Sequence, residues 1–367
     1  MRHFCTYFDS HYLPRGLALY HSLVRHHKSP FTLWILCFDE MAYDILSCLQ
    51  LPHIRLVKQE EFEEGDSELV SVKSQRNLLE YYWTCTPSLP LYLLEKDPSM
   101  DLITYLDADL LFFSSPEPIY QEFSDSSILL TEHRYSPVHQ CLQEAAGIYN
   151  VEMMVFRRDP TGLEALRWWR KQCIDWCYRK HENGKFGDQL YLNDWPKRFP
   201  KTHVLQHPGG GVAPWNAARY HIHKQDGKVY VDDSPLIYYH YHAFALLNDW
   251  TCVSDKWGYD IPTEYFDLVY RPYLQALQES IRQIRKHFLG FEKGYETLAL
   301  RDLLRFVEQR RLLVSIQPDM TEHAMRQMVR MRFPSGSSFL KEIPGVGTRF
   351  LRRSFQRISN ACESSRQ

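Results

Sequence analysis

The sequence predicts an α/β protein: a mixed, mainly parallel sheet flanked by helices, with a helical extension at the C-terminal end. Three observations lead there. Strand-like and helix-like runs alternate from the first residues, which calls for parallel strands joined by right-handed crossovers. Two carboxylates, Asp107 and Asp109, stand between the apolar runs of residues 102–113, where a sheet would end. Beyond about residue 262 the strand pattern yields to helical periodicity. The expected organisation is a domain over residues 1–261 and a helical, basic extension over residues 262–367.

Taken in order, residues 3–8 read as an apolar strand ending in Asp9-Ser10-His11-Tyr12. Residues 13–27 place Leu17, Leu19, Tyr20, Leu23 and Val24 at helical spacing, with Pro14 suited to a first turn. A strand over 32–38, a helix over 41–49 and a strand over 54–57 complete a βαβαβ opening. Residues 79–95 predict a helix interrupted near Pro87 and Pro90. Short helices follow at 116–123 and 138–146, strands at 127–131 and 151–156, and a Trp-rich helix at 162–179. Phe186-Gly187-Asp188-Gln189-Leu190-Tyr191 opens another helix. Gly209, Gly210 and Gly211 in succession mark residues 207–216 as a loop. Strands at 229–231 and 237–241 precede helices at 264–289 and 296–313.

Composition narrows the function. A net charge of −2 gives no footing for a nucleic-acid partner. The nine cysteines lack CxxC spacing, which fits free thiols in a reducing compartment. No apolar run is long enough to span a bilayer, and the first residues enter a strand pattern rather than an apolar leader. The expected location is cytoplasmic. In residues 320–367, arginines and lysines far outnumber acids and interleave with phenylalanines. Peripheral contact with an anionic membrane face is one reading of that tail, a solvated segment the other.

The chemistry begins with Asp107 and Asp109. Residues two apart on a strand point the same way, so both carboxylates can converge on one point. Brought together they repel, and a hard divalent ion with open positions for phosphate relieves the repulsion. A plain solvated turn would leave them without an ion. In parallel sheets, ligands gather at the carboxyl ends of strands, where Asp9 and Tyr12 also fall. Neither GxGxxG nor GxxxxGK[ST] follows the first strand, so no glycine nest holds phosphate there. A second set of ligands is offered by Tyr239-His240-Tyr241-His242, whose histidines would share one strand face. His221 and His223 repeat the spacing in a more polar stretch.

The ordered set of Phe4-Cys5-Thr6-Tyr7-Phe8-Asp9-Ser10-His11-Tyr12-Leu13-Pro14, Tyr105-Leu106-Asp107-Ala108-Asp109, Tyr149-Asn150, Gly187-Asp188-Gln189 and His240-Tyr241-His242-Ala243 resembles a GT-A-fold glycosyltransferase of the family 8 type. The resemblance covers roughly residues 1–250. It implies a metal-dependent transfer of sugar from a UDP-sugar to a glycan, lipid-linked or protein acceptor, with retention of anomeric configuration. It implies Mn²⁺ or Mg²⁺ on Asp107 and Asp109, with His240 as third ligand and His242 in reserve. Thr6, Tyr7, Asp9 and Tyr12, with Asp107, Ala108 and Asp109, would bind the nucleotide-sugar, Tyr12 stacking on the base. Asn150, Asp188 and Gln189 would face the sugar and its anomeric carbon. Gly209, Gly210, Gly211 and Trp215 would shape the floor.

Departures from the family pattern are equally specific. Its arginine ahead of the acidic pair is absent, leaving Lys73 or Arg76 as substitutes. A glycine expected two residues after Asn150 is Glu152, and the lysine expected after His240 is missing. Two other function classes compete with the transferase. A sugar-nucleotide nucleotidyltransferase would want a Gly-rich, basic loop after the first strand, which residues 9–14 lack. A catalytically degenerate binding scaffold is opposed by the intact Asp107 and Asp109.

Overall fold

The computed structural model describes residues 1–309 and 311–314. Its centre is a seven-stranded mixed sheet in the order β3-β2-β1-β4-β7-β6-β8. Strands β1 (Arg2–Phe8), β2 (Phe31–Cys37), β3 (Ile54–Lys58) and β4 (Leu102–Leu106) run parallel, joined through α1 (Leu13–His26) and α2 (Glu40–Leu49). Strand β7 (Tyr149–Arg157) is antiparallel to both β4 and β6 (Ile128–Glu132), and β8 (Thr202–Val204) pairs parallel with β6. The expected flanked sheet, mostly parallel, is what the chain forms.

Alternation along the strands feeds a core on each face. Phe4, Phe8, Leu33 and Ile35 pack with Leu17, Leu19 and Leu23 of α1. Cys5, Leu36, Ile103 and Tyr105 pack on the opposite face with Cys85 and Leu89. After two short helices, α3 (Gln59–Glu63) and α4 (Ser67–Lys73), comes α5 (Leu78–Lys96). Asn77 and Glu80 exchange hydrogen bonds at its start, a capping box.

Helix α5 is continuous, although an interruption was expected at Pro87 and Pro90. Each proline removes an N–H and costs about 3 kcal/mol in a free helix. Burial of Thr84, Cys85, Leu89, Leu91, Leu93 and Leu94 outweighs that local penalty. A second difference follows β4. Asp107, Ala108 and Asp109 lie not on a strand but in the tight turn between β4 and β5 (Leu110–Phe112).

Helices α6 (Glu117–Phe123), α7 (Leu142–Ala146), α8 (Pro160–Asp175) and α9 (Trp195–Arg198) fill the connections. The helix expected from residue 186 is instead a 3-10 turn at Leu190–Asp194. Strands β9 (Ile222–Gln225), β10 (Lys228–Val231) and β11 (Ser234–Pro235) make a small antiparallel sheet. Strand β12 (Tyr238–His240) pairs antiparallel with β5, setting His240 opposite Leu110.

The chain divides into two compact units. The sheet unit comprises residues 1–242 and 257–294, so it runs past the boundary expected after residue 261. Its late helix α10 (Arg271–Arg285) packs against α1, with His21 Nε2 2.7 Å from Gln283 Oε1. The other unit, residues 243–256 and 295–367, contains β13 (Ala245–Asn248), β14 (Thr251–Val253), α11 (Leu300–Glu308) and β15 (Leu312–Val314). It is not wholly helical, because Leu312, Leu313 and Val314 pair antiparallel with β14. The basic segment 320–367 lies outside the described residues. Among those described, no helix is long and apolar enough to cross a membrane, and no cysteine is in a disulfide.

Candidate metal and donor site

The site forms where the β4–β5 turn meets β12. His240 Nε2 lies 3.2 Å from Asp109 Oδ1 and 3.7 Å from Asp107 Oδ2. One donor atom from each of Asp107, Asp109 and His240 falls within 4.8 Å of the other two, the only such His/Cys/Asp/Glu cluster among the described residues. Backbone bonds hold the three in place. Asp107 N–H donates to the Glu152 carbonyl at 2.8 Å, Tyr241 N–H to the Asp109 carbonyl at 3.0 Å, and His240 N–H to the Val212 carbonyl at 2.9 Å. Tyr105 Oη donates to Asp107 Oδ1 at 2.9 Å.

Burial pushes Asp107 up to about 6, with His240 pulling down and Asp109 adding to the rise. Burial opposes the Asp109 charge too, but His240, with His242 and Arg15 nearby, holds its carboxyl below the usual range. Burial also works to neutralise His240. Asp109 and Glu152 override it and keep the imidazole pKa well above its ordinary value. A cluster that draws a positive charge onto its imidazole is one that a divalent ion would suit. Two carboxylates and an imidazole are an ordinary ligand set for Mn²⁺ and an acceptable one for Mg²⁺.

His242 lies beyond the end of β12 and its ring is 5.8 Å from that of His240. It packs edge-on to Trp215 and Trp257, outside the cluster of converging donor atoms. His221 and His223 stack on one another on β9 and its approach, and also stand outside that cluster. Trp215 is buried and meets the His240 ring edge-on at 5.3 Å. In the glycine loop, the Gly209 carbonyl accepts from Ile237 N–H at 2.7 Å, which sets the course of β12.

Among the residues expected to bind the nucleotide, Asp9 builds the turn after β1. Its Oδ1 accepts from the N–H groups of His11 and Tyr12 at 2.9 and 3.1 Å, and its Oδ2 from Tyr82 Oη at 3.1 Å. Tyr12, at the N-cap of α1, is exposed, with the buried Arg15 guanidinium 4.5 Å from its ring. Tyr7 is bonded to Thr86 at 2.9 Å. Thr6 is fully buried inside β1, with no partner for Oγ1 among the described residues. Ala108 is buried in the acidic turn.

Asn150 and Asp188 are both buried, and among the described residues Asn150 Nδ2 and Asp188 Oδ2 have no hydrogen-bond partner. Burial lifts the Asp188 carboxyl to about 7, with the Asp107 charge contributing. The Gln189 amide donates to the Ala146 carbonyl at 2.6 Å. Of the two substitute cations, neither serves the site. Lys73 pairs with Glu63 at 2.8 Å. Arg76 caps the end of α8, donating to the carbonyls of Cys173, Ile174 and Cys177 at 2.9, 2.8 and 3.0 Å.

Three participants were not anticipated: Glu152, Tyr238 and Arg15. Glu152 carried a visible signal, a lone acid among Val151, Met153, Met154, Val155 and Phe156 in a strand. Tyr238 and Arg15 carried none.

No protein-family model matches the chain. It is 32% identical over 301 residues to a protein of Bacillus subtilis (strain 168) described as uncharacterized protein YfnD, covering 80% of this chain and 94% of that protein. Uncharacterized protein YfnF of the same strain is 29% identical over 309 residues, 82% of this chain and 98% of that protein. Among solved structures, galactosyltransferase LgtC in complex with donor and acceptor sugar analogs aligns with TM-score 0.47 and 13% identity, over 76% of this chain and 95% of that one. Glycosyltransferase GlyE of Streptococcus pneumoniae TIGR4 aligns with TM-score 0.44 and 17% identity, over 81% and 66%. Likenesses this loose assign no residue and no substrate.

Proposed function

The chain belongs to the family of the Bacillus subtilis protein YfnD, and we propose that it is a metal-dependent GT-A glycosyltransferase taking a UDP-sugar as donor. The observation that carries this reading is the convergence of Asp107, Asp109 and His240 at the carboxyl end of β4, the middle strand of the sheet. The order of sequence motifs that resembles family 8 supports it, and the UDP assignment rests on that resemblance. The acceptor is a glycan, a lipid-linked acceptor or a protein, and the anomeric configuration is retained.

Asp107, Asp109 and His240 hold Mn²⁺ or Mg²⁺ in this reading. The bound ion supplies neutralisation of the charge growing on the diphosphate leaving group. Tyr12 offers an exposed ring for the base, and Asp9 sets the turn that presents it. Asn150 and Asp188 bring unpartnered polar atoms to the sugar. With a pKa near 7, Asp188 can donate a hydrogen bond to a sugar hydroxyl as an acid or accept one as a carboxylate. Gln189, anchored to Ala146, closes the same side.

The test is a thermal-shift and calorimetry panel of nucleotide-sugars with and without Mn²⁺. Stabilisation by one UDP-sugar that needs the metal and disappears in Asp109→Ala is the expected result. Metal-dependent binding of another nucleotide overturns the UDP assignment. No binding in any combination overturns the enzyme and favours a degenerate scaffold.

A further inference from the structure

We infer that Glu152 is a positioning residue for the metal site, a buried carboxylate that holds His240 by Nδ1 and thereby aims Nε2 at Asp107 and Asp109. This rests on the reading of those three residues as metal ligands.

The side chain of Glu152 is fully buried. Its Oε2 lies 2.8 Å from His240 Nδ1, and its Oε1 accepts from Tyr238 Oη at 3.0 Å. With Oε1 taken by Tyr238 Oη and Oε2 accepting from the ring, Nδ1 carries the hydrogen and the Nε2 lone pair is left for the ion. Rotation of the ring about its own axis would break that bond among buried groups, where leaving a partner unmet is costly. The backbone of Glu152 does related work, its carbonyl receiving the Asp107 N–H at 2.8 Å and its own N–H donating to Asn150 Oδ1 at 3.1 Å. One residue therefore aligns a ligand from β12 and another from the β4–β5 turn.

Gly211 borders the carboxylate at ordinary contact distance and is itself hemmed in by Arg134 and Thr131. A Cβ on Gly211 would stand 3.4 Å from Glu152 Oε1, and also 2.5 Å from Arg134 Nη2 and 2.6 Å from Thr131 Cγ2. Glu152 stands where the resembled family has glycine, so this support for the histidine is a property of the present chain. Carboxylates that orient metal-bound histidines typically change metal affinity 10–100-fold when removed.

The experiment is Mn²⁺ binding without nucleotide-sugar, followed by the electron paramagnetic resonance of free Mn²⁺. Glu152→Leu, which removes the acceptor at similar volume, is expected to weaken Mn²⁺ about 10–100-fold with an unchanged near-UV circular dichroism spectrum. Glu152→Gln keeps an acceptor for Nδ1–H and is expected to lose less. A folded Glu152→Leu protein that binds Mn²⁺ within twofold of the parent overturns the inference. Should that variant not fold, ¹⁵N spectra of the Mg²⁺-loaded parent decide: His240 protonated at Nδ1 supports it, and at Nε2 overturns it. Asp109→Ala separates the premise: Mn²⁺ binding unchanged there defeats the metal reading itself, whereas loss there with no effect of Glu152→Leu defeats the inference alone.

Discussion

Asp107 and Glu152 are joined through the backbone, the N–H of the first donating to the carbonyl of the second at 2.8 Å. The bond continues the β4–β7 ladder one residue past Leu106, which pairs with Met153. The acidic turn is therefore anchored to the central sheet rather than left as a free loop. Local motion that would separate the two aspartates has to break sheet pairing.

Tyr12→Ala removes the exposed ring proposed to stack on the donor base. Base–aromatic stacking is worth about 1–3 kcal/mol. UDP affinity is expected to fall about 5- to 150-fold by calorimetry, while Mn²⁺ affinity measured alone stays within twofold. A fall in both would place Tyr12 in the support of the site instead.

Arg76→Ala tests whether this buried arginine is structural. Its loss strands three carbonyls at the end of α8, an expected cost of about 2–4 kcal/mol in urea unfolding. The folded fraction is expected to bind nucleotide-sugar and metal as the parent does. Selective loss of donor binding with full stability would make Arg76 the missing family arginine after all.

Asp188 yields a pH prediction. Its pKa is about 7 when folded against 3.8 ordinarily, so the folded state binds the extra proton between those values. Stability from this group therefore falls as pH rises from 3.8 to 7 and is level above that. The penalty grows by about 3 kcal/mol between pH 4.5 and pH 8. Asp188→Asn is expected to gain stability relative to the parent at pH 8 and little at pH 4.5, in melts with chelator present. An equal difference at both pH values would contradict the raised pKa.

Gly209→Ala places a Cβ 1.9 Å from the Pro235 carbonyl oxygen, a backbone atom with no easy escape. Overpacking of this kind costs about 1–3 kcal/mol. Because the Gly209 carbonyl guides Ile237 into β12, His240 is expected to shift with it. Reduced thermal stability together with weaker Mn²⁺ binding is the expected pair of effects. Weaker stability with normal Mn²⁺ binding would show that β12 holds its course without the loop.

By itself the sequence determined the alternation of strands and helices, the helix-flanked sheet, and the acidic pair at a strand end. These are local signals: periods of 2 and 3.6, a first-turn proline at Pro14, and aspartates at a strand end. Tertiary structure alone decided which histidine joins the aspartates, because that depends on β12 pairing with β5 in one register. His240 and His242 are equivalent under strand alternation, and only the end of β12 separates them. Continuity of α5 through two prolines was likewise settled by burial, which no local propensity records. The bond between Glu152 and His240 spans 88 residues, and in the sequence Glu152 was only a glycine replaced by an acid. Its meaning came from the partner that the fold set beside it.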